Sequence, residues 1–147
     1  MKRFLLGAAV LFVSFTSASA QFTFTSIDYP GGTQTKIRGI NDHGEIVGGY
    51  RVMPPGHALL ISGGQFLPLD PNSVLGTDAS AAWKINDRGD VVGLYAGSDG
   101  LSHGFLLRKG VLTTLDFPGA SDTYATGIMS PASSSDTGTF STQMGTH

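Results

Sequence analysis

The segment Ile40-Asn41-Asp42-His43-Gly44-Glu45-Ile46-Val47-Gly48 returns as Ile85-Asn86-Asp87-Arg88-Gly89-Asp90-Val91-Val92-Gly93, shifted by 45 residues. A period of this length marks one supersecondary unit used repeatedly, each copy needing a neighbour to bury its apolar faces. This self-similarity limits the fold to a stack, ring or array of like modules.

The match continues past the first segment. Gly49-Tyr50 pairs with Leu94-Tyr95 at the same shift, which then becomes 46 for His57 and His103, Leu59 and Phe105, Gly64 and Gly110, and Asp70 and Asp116. A third, partial copy lies on either side. Residues 24–31 correspond to 112–119 at a shift of 88, and Gly39-Ile40 to Gly127-Ile128. Drifts in spacing fall where loops are expected, since loops tolerate insertions. The chain therefore divides into a leader at 1–20, a β-repeat domain at 21–128 and a tail at 129–147. Within the domain, complete repeats span about 35–70 and 80–116, with partial copies at 22–31 and 112–128.

Four short strands are predicted in the first repeat, at about 35–40, 46–50, 57–61 and 65–69. Asn41-Asp42-His43-Gly44 and its counterpart Asn86-Asp87-Arg88-Gly89 form the first turn, where Asn and Asp bridge turn backbones and Gly supplies a positive φ. Gly63-Gly64 and Lys109-Gly110 are further hairpin signals. Tight turns in succession make each repeat a four-stranded antiparallel meander. Ala58-Leu59-Leu60-Ile61 and Phe105-Leu106-Leu107 are continuous apolar runs, which imply burial on both faces. Gly48 and Gly93 leave room for close approach of a neighbouring backbone. The expected class is all-β, a partial β-propeller-like array of two complete blades plus edge strands. A β-solenoid or an open sandwich is the competing architecture.

The leader has the marks of a secretory signal peptide: basic Met1-Lys2-Arg3, an apolar run over 4–15, and small residues Ala18-Ser19-Ala20 at the cleavage positions. Its removal takes two of nine basic residues and none of eleven acidic ones, moving the net charge from −2 to −4. A secreted or periplasmic product without a membrane span is expected. Glycine, at 21 residues of 147, is about twice its usual share, and charged residues at 14% fall below the usual ~25%. Both suit short strands and tight turns. There is no cysteine, hence no disulfide and no thiolate metal site. The mild negative charge and lack of Lys/Arg runs argue against nucleic acid as a partner.

Gly39-Ile40-Asn41-Asp42-x-Gly44-x-Ile46-Val47-Gly48, followed by His57-Ala58-Leu59, with His103-Gly104-Phe105 in the second copy and Asp116-Phe117-Pro118-Gly119-Ala120 later, resembles the HAF repeat of bacterial extracellular proteins. The resemblance covers about 22–128. It departs at Trp83-Lys84-Ile85, where a small residue and Gly-Ile are expected, and at Leu59, where Phe is expected. It implies a secreted repeat protein with propeller-like blades and carries over no active site.

The residues defining the repeat, Asn41, Asp42, Gly44, Gly48, His57, Asn86, Asp87, Gly89, Gly93 and His103, read as structural. His57 and His103 sit at equivalent strand starts and suit inter-strand hydrogen bonding more than ligation. Asp28, Asp70 and Asp116 recur at strand ends, where carboxylates accept backbone N–H bonds. A glycosidase needs two carboxylates facing across about 5–10 Å, and symmetric repeats single out no pair. The oxygen-rich Asn41–Glu45 and Asn86–Asp90 turns invite a calcium reading but lack an EF-hand's ligand set. Trp83 is expected in the core, with sugar stacking as the alternative. No catalytic residue and no cofactor is assigned.

After Ile128 the repeat calls for Asn-Asp-x-Gly, yet the chain has Met129-Ser130-Pro131-Ala132-Ser133 and turns Ser/Thr-rich. A disordered tail is expected; a frameshift truncating a longer array is the second reading. The leading functional expectation is a non-catalytic extracellular interaction or surface scaffold, with self-association or a protein or glycan partner. The alternative is a carbohydrate- or ligand-binding propeller, calcium-dependent in one version.

Overall fold

The computed structural model describes residues 21–69, 79–130 and 140–145, so Asp70 and the leader lie outside the described residues. The described residues form ten strands and no helix. Repeat 1 comprises β1 (Gln34–Ile40), β2 (Ile46–Arg51), β3 (His57–Ser62) and β4 (Gln65–Leu69), paired in that order in one sheet. Repeat 2 comprises β5 (Ser80–Ile85), β6 (Val91–Ala96), β7 (Ser102–Arg108) and β8 (Val111–Leu115), again in sequence order. Every pairing is antiparallel. The predicted meanders are present, with strand ends within a residue of those read from the turns.

A third unit follows. β9 (Asp122–Ile128) pairs antiparallel with β10 (Phe140–Gly145) in a two-stranded sheet. The expectation of a disordered tail is corrected over β10. Its Ser/Thr-rich sequence lacks an apolar period, but β9 presents a backbone edge on which a strand can form. The first strand of each unit carries the same irregularity: the register slips past Arg38, Trp83 and Thr126. A bulge at one place in three strands shows that the units are structural repeats, since an extra residue there re-aims the strand.

The way the units stack follows from side-chain alternation. The front face of repeat 2 carries Val91, Tyr95 and Phe105, and it packs on Val47 and Ala58 from the back face of repeat 1 in one buried cluster. The back face of repeat 2 carries Val92 and Leu106, which pack on Ala125 of β9. Back-on-front packing thus occurs twice. It explains the apolar run of β7, where Phe105 and Leu106 point to opposite faces and are fully or nearly fully buried; in β3, Ala58 is buried against repeat 2 and Leu59 on the opposite, front face. The array is open, with no closed barrel or ring among the described residues.

The front face of repeat 1 has no repeat on it. Ile37 and Ile40 are 43% and 65% exposed, whereas their counterparts Ala82 and Ile85 are 0% and 7% exposed. Among the described residues, the segment before β1 lies across this face: Tyr29 stacks on Tyr50 (centroids 3.8 Å) and meets Phe66 edge-on. A groove of about 440 Å³ remains between Ile27 and Ile46, Ile61 and Phe66.

Candidate functional site

Asn41 and Asn86 occupy like environments. Each backbone closes its turn in the same way, with Gly44 N–H donating to Asn41 O at 3.1 Å and Gly89 N–H to Asn86 O at 3.0 Å. Gly44 and Gly89 both have φ +76°, a conformation that costs other residues a Cβ clash. Asn41 Oδ1 accepts N–H bonds from His43 and Glu45, and Asn86 Oδ1 from Arg88 and Asp90. The amide nitrogens go further. Asn41 Nδ2 donates to Glu45 Oε2 and across to Asn86 O at 3.1 Å; Asn86 Nδ2 donates to Asp90 Oδ2 and across to Met129 O at 3.4 Å.

One residue on, the link is repeated in the backbone. Asp42 N–H donates to Asp87 Oδ1 at 2.9 Å, and Asp87 N–H donates to Ser130 Oγ at 3.1 Å. Ser130 Oγ–H in turn donates to Asp87 Oδ2. Hydrogen bonds from Ser130 and from the Asp42 amide hold the Asp87 carboxyl below the usual carboxylate range. Met129 and Ser130 therefore take the Asn and Asp places of the third unit. The Asn-Asp turn is a relay joining each repeat to the next.

These bonds also bear on the calcium reading. Both Glu45 oxygens are engaged, by Asn41 and Ser62, while Asp90 Oδ2 accepts from Asn86 and from Arg108 Nε at 3.1 Å. Among the described residues no group of three or more His, Asp or Glu is arranged to hold a metal ion.

Gly48 and Gly93 face the bulge. A Cβ at Gly48 would run into the carbonyl oxygen of Lys36, and one at Gly93 into that of Ala81 and, at 2.8 Å, the Phe105 ring. The bulge turns the first strand's carbonyl inward, and only glycine opposite leaves space for it.

His57 and His103 hold equivalent places in unlike surroundings. Each ring lies against the tyrosine across the strand pair, Tyr50 or Tyr95. His103 is gripped from both sides: Nδ1 meets Asp116 Oδ1 at 2.9 Å and Nε2 meets Asp99 Oδ1 at 3.1 Å. Asp116 thus binds a side chain, correcting the expectation of a turn-capping role. In repeat 1, residues 52–56 (Val-Met-Pro-Pro-Gly) replace the loop that bears Asp99, so His57 has no such clamp from that side.

Neutral imidazole has one N–H, so donating to two carboxylates requires the charged form. Partial burial opposes that charge, but hydrogen bonds and attraction from Asp116 and Asp99 outweigh it and raise the His103 pKa above 6.5. The Asp99 carboxyl is lowered by the Leu101 amide and by His103. A raised histidine contributes stability that is complete below about pH 6.5 and is lost as pH rises through the folded-state value. The lowered Asp99 and Asp87 contribute above about pH 3.8 and lose that contribution as pH falls through their folded-state values. Melting temperature should therefore decline as pH rises above about 6.5, and His103→Gln should flatten this alkaline limb. An unchanged slope in the variant would assign it elsewhere.

Trp83 is not in the core, contrary to expectation. It is the bulge residue of β5, half-buried, with the Arg38 guanidinium 4.9 Å above its ring and Tyr124 stacked beyond at 6.5 Å. Its ring spans the column of bulge residues between repeat 1 and β9, and its indole N–H is buried. Asp28 lines the groove on repeat 1, and Asp70 lies outside the described residues.

The fold and these bonds define a class: stacked four-stranded antiparallel repeats linked by an Asn-Asp relay. Compared with family models, curated proteins and solved structures, the chain matches none of them. No helix among the described residues is long and apolar enough to cross a membrane.

Proposed function

We propose that this chain is a secreted, non-catalytic repeat protein of the HAF type, acting as an extracellular interaction scaffold whose stacking surface recruits a further repeat from a second copy. The observation that carries this reading is the twice-used back-on-front packing, beside a front face of repeat 1 on which Ile37 and Ile40 stay exposed where their counterparts Ala82 and Ile85 are buried. A face that fits a repeat within the chain fits one from outside it, as in heterologous head-to-tail assembly.

The segment before β1 supports the same reading. Its turn matches that after β8: Gly32 N–H bonds Tyr29 O as Ala120 N–H bonds Phe117 O, and Gly31 and Gly119 both have positive φ. Tyr29 N–H donates to Thr35 Oγ1 just as Phe117 N–H donates to Thr123 Oγ1. Yet residues 22–27, equivalent to the outermost strand β8, belong to no sheet, and Phe22 and Phe24 are 78% and 93% exposed. A segment with the turn that follows an outer strand, yet outside any sheet, is open to pairing with another chain. The polar groups a catalytic reading would recruit (Asn41, Asn86, Asp90, His103) are engaged by neighbouring side chains and backbone.

Sedimentation velocity on the chain processed after Ala20 should show concentration-dependent association. Phe22→Asp combined with Phe24→Asp should weaken it by roughly a hundredfold, because each buried Phe contributes about 1.5–3 kcal/mol. A wild-type chain that stays monomeric at high micromolar concentration would refute self-recruitment.

A further inference from the structure

At four positions on β1 and β2 the two complete repeats differ in concert. Lys36, Arg38, Gly49 and Arg51 of repeat 1 stand where repeat 2 has Ala81, Trp83, Leu94 and Ala96. The four are scattered in sequence over two strands, but the pairing of Gln34 with Arg51 and Lys36 with Gly49 brings them to one end of the β1–β2 ladder. They line a cleft of about 130 Å³ between the back of repeat 1 and the start of β5, which His57 and Ser80 also border.

From this geometry we propose that the cleft between repeats 1 and 2 binds one oxyanion group, the carboxylate, sulfate or phosphate of an acidic ligand. Gly49 opens the space that Leu94 occupies in the second repeat. The volume equals that of about four waters, enough for one oxyanion with residual solvent. Three of the seven basic residues outside the leader gather here, in a chain whose net charge without that leader is −4. Among the described residues no ion pair engages Lys36, Arg38 or Arg51, and no Asp or Glu lines the cleft. Arg38 rests on the Trp83 ring, but no carboxylate in the cleft balances the three charges; like charges brought together repel, and a bound anion reverses the sign of that interaction. Residues that merely hold the fold should follow the repeat; these break it in concert and converge. The inference does not rest on the scaffold reading, because the cleft lies between two repeats of the same chain, away from the open front face.

Isothermal titration of the processed chain in chloride buffer, with sodium sulfate, sodium phosphate and sodium glucuronate as separate probes, should give saturable one-to-one binding of at least one. The probe bound most tightly distinguishes a free inorganic anion from the carboxylate of an acidic sugar. Lys36→Ala and Arg51→Ala should each weaken that binding roughly tenfold, as expected for loss of one charge-assisted contact. Lys109→Ala, at the exposed β7–β8 turn, should leave it unchanged. Gly49→Leu should abolish binding; should that variant fail to fold, the two alanine variants decide alone. Absence of saturable binding for all three probes overturns the proposal. So does binding that Lys109→Ala weakens as much as Lys36→Ala, since that marks diffuse charge.

Discussion

Gly93→Ala is expected to destabilise the chain by about 3 kcal/mol or more, at the upper end for forcing an atom into a packed interior. The new Cβ would overlap the Ala81 carbonyl oxygen and press on two Phe105 ring atoms at 2.8 and 2.9 Å. Neither can yield easily. The carbonyl lies on β5 just before its bulge, a strand held between repeat 1 and β9, and Phe105 is fully buried. Gly48→Ala makes the same conflict with the Lys36 carbonyl but lacks the second clash, with an aromatic ring, that Phe105 sets against Gly93. A smaller loss, roughly half as large, is expected there. Gly44→Ala meets open space at φ +76° and should cost only about 1–2 kcal/mol of backbone strain. Urea denaturation of the three variants should give the order Gly93, Gly48, Gly44. A Gly93→Ala midpoint equal to wild type would refute the packing described for the bulge.

Asn86→Ala should cost about 3 kcal/mol. The side chain is 2% exposed and makes four bonds: it receives the Arg88 and Asp90 amides and donates to Asp90 Oδ2 and Met129 O. Its loss strands a buried N–H and weakens the support of a carboxylate that is itself 3% exposed, each costing about 1–3 kcal/mol, while Arg108 keeps part of the compensation. Asn41→Ala should be milder, because Glu45 is half-buried and water can replace the lost donor. Asn86→Asp separates hydrogen bonding from cavity formation. It keeps the volume but sets an acceptor against the Asp90 carboxylate and Met129 O, so near neutral pH it should be at least as damaging as alanine. Full stability in Asn86→Asp would show that the inter-repeat donor contributes nothing.

The strands of both repeats were legible because their signals are local. A turn such as Asn41-Asp42-His43-Gly44 or Gly63-Gly64 carries its backbone preference in adjacent residues, and the apolar runs of β3 and β7 announce burial on both faces. Other features were not legible for want of a local signal. The bulge at Arg38, Trp83 and Thr126 depends on two strands being in register, so Trp83 read as core although it is the half-buried bulge residue lying between Arg38 and Tyr124. Asp116 read as a turn cap because its partner, His103, lies on a neighbouring strand. β10 has no apolar period and forms through backbone pairing with β9.

The order of hairpins, the repeat boundaries and the glycines opposite the first strand follow from the amino-acid order, since each rests on interactions a few residues apart or on the recurrence itself. Which face of one repeat meets which face of the next, that Asn41 and Asn86 reach carbonyls 45 and 43 residues onward, and that three cations share one cleft emerged from the folded arrangement. The reason is physical. Face-to-face packing and relay bonds join groups that chain order leaves far apart, and their partners are set by where whole sheets come to rest.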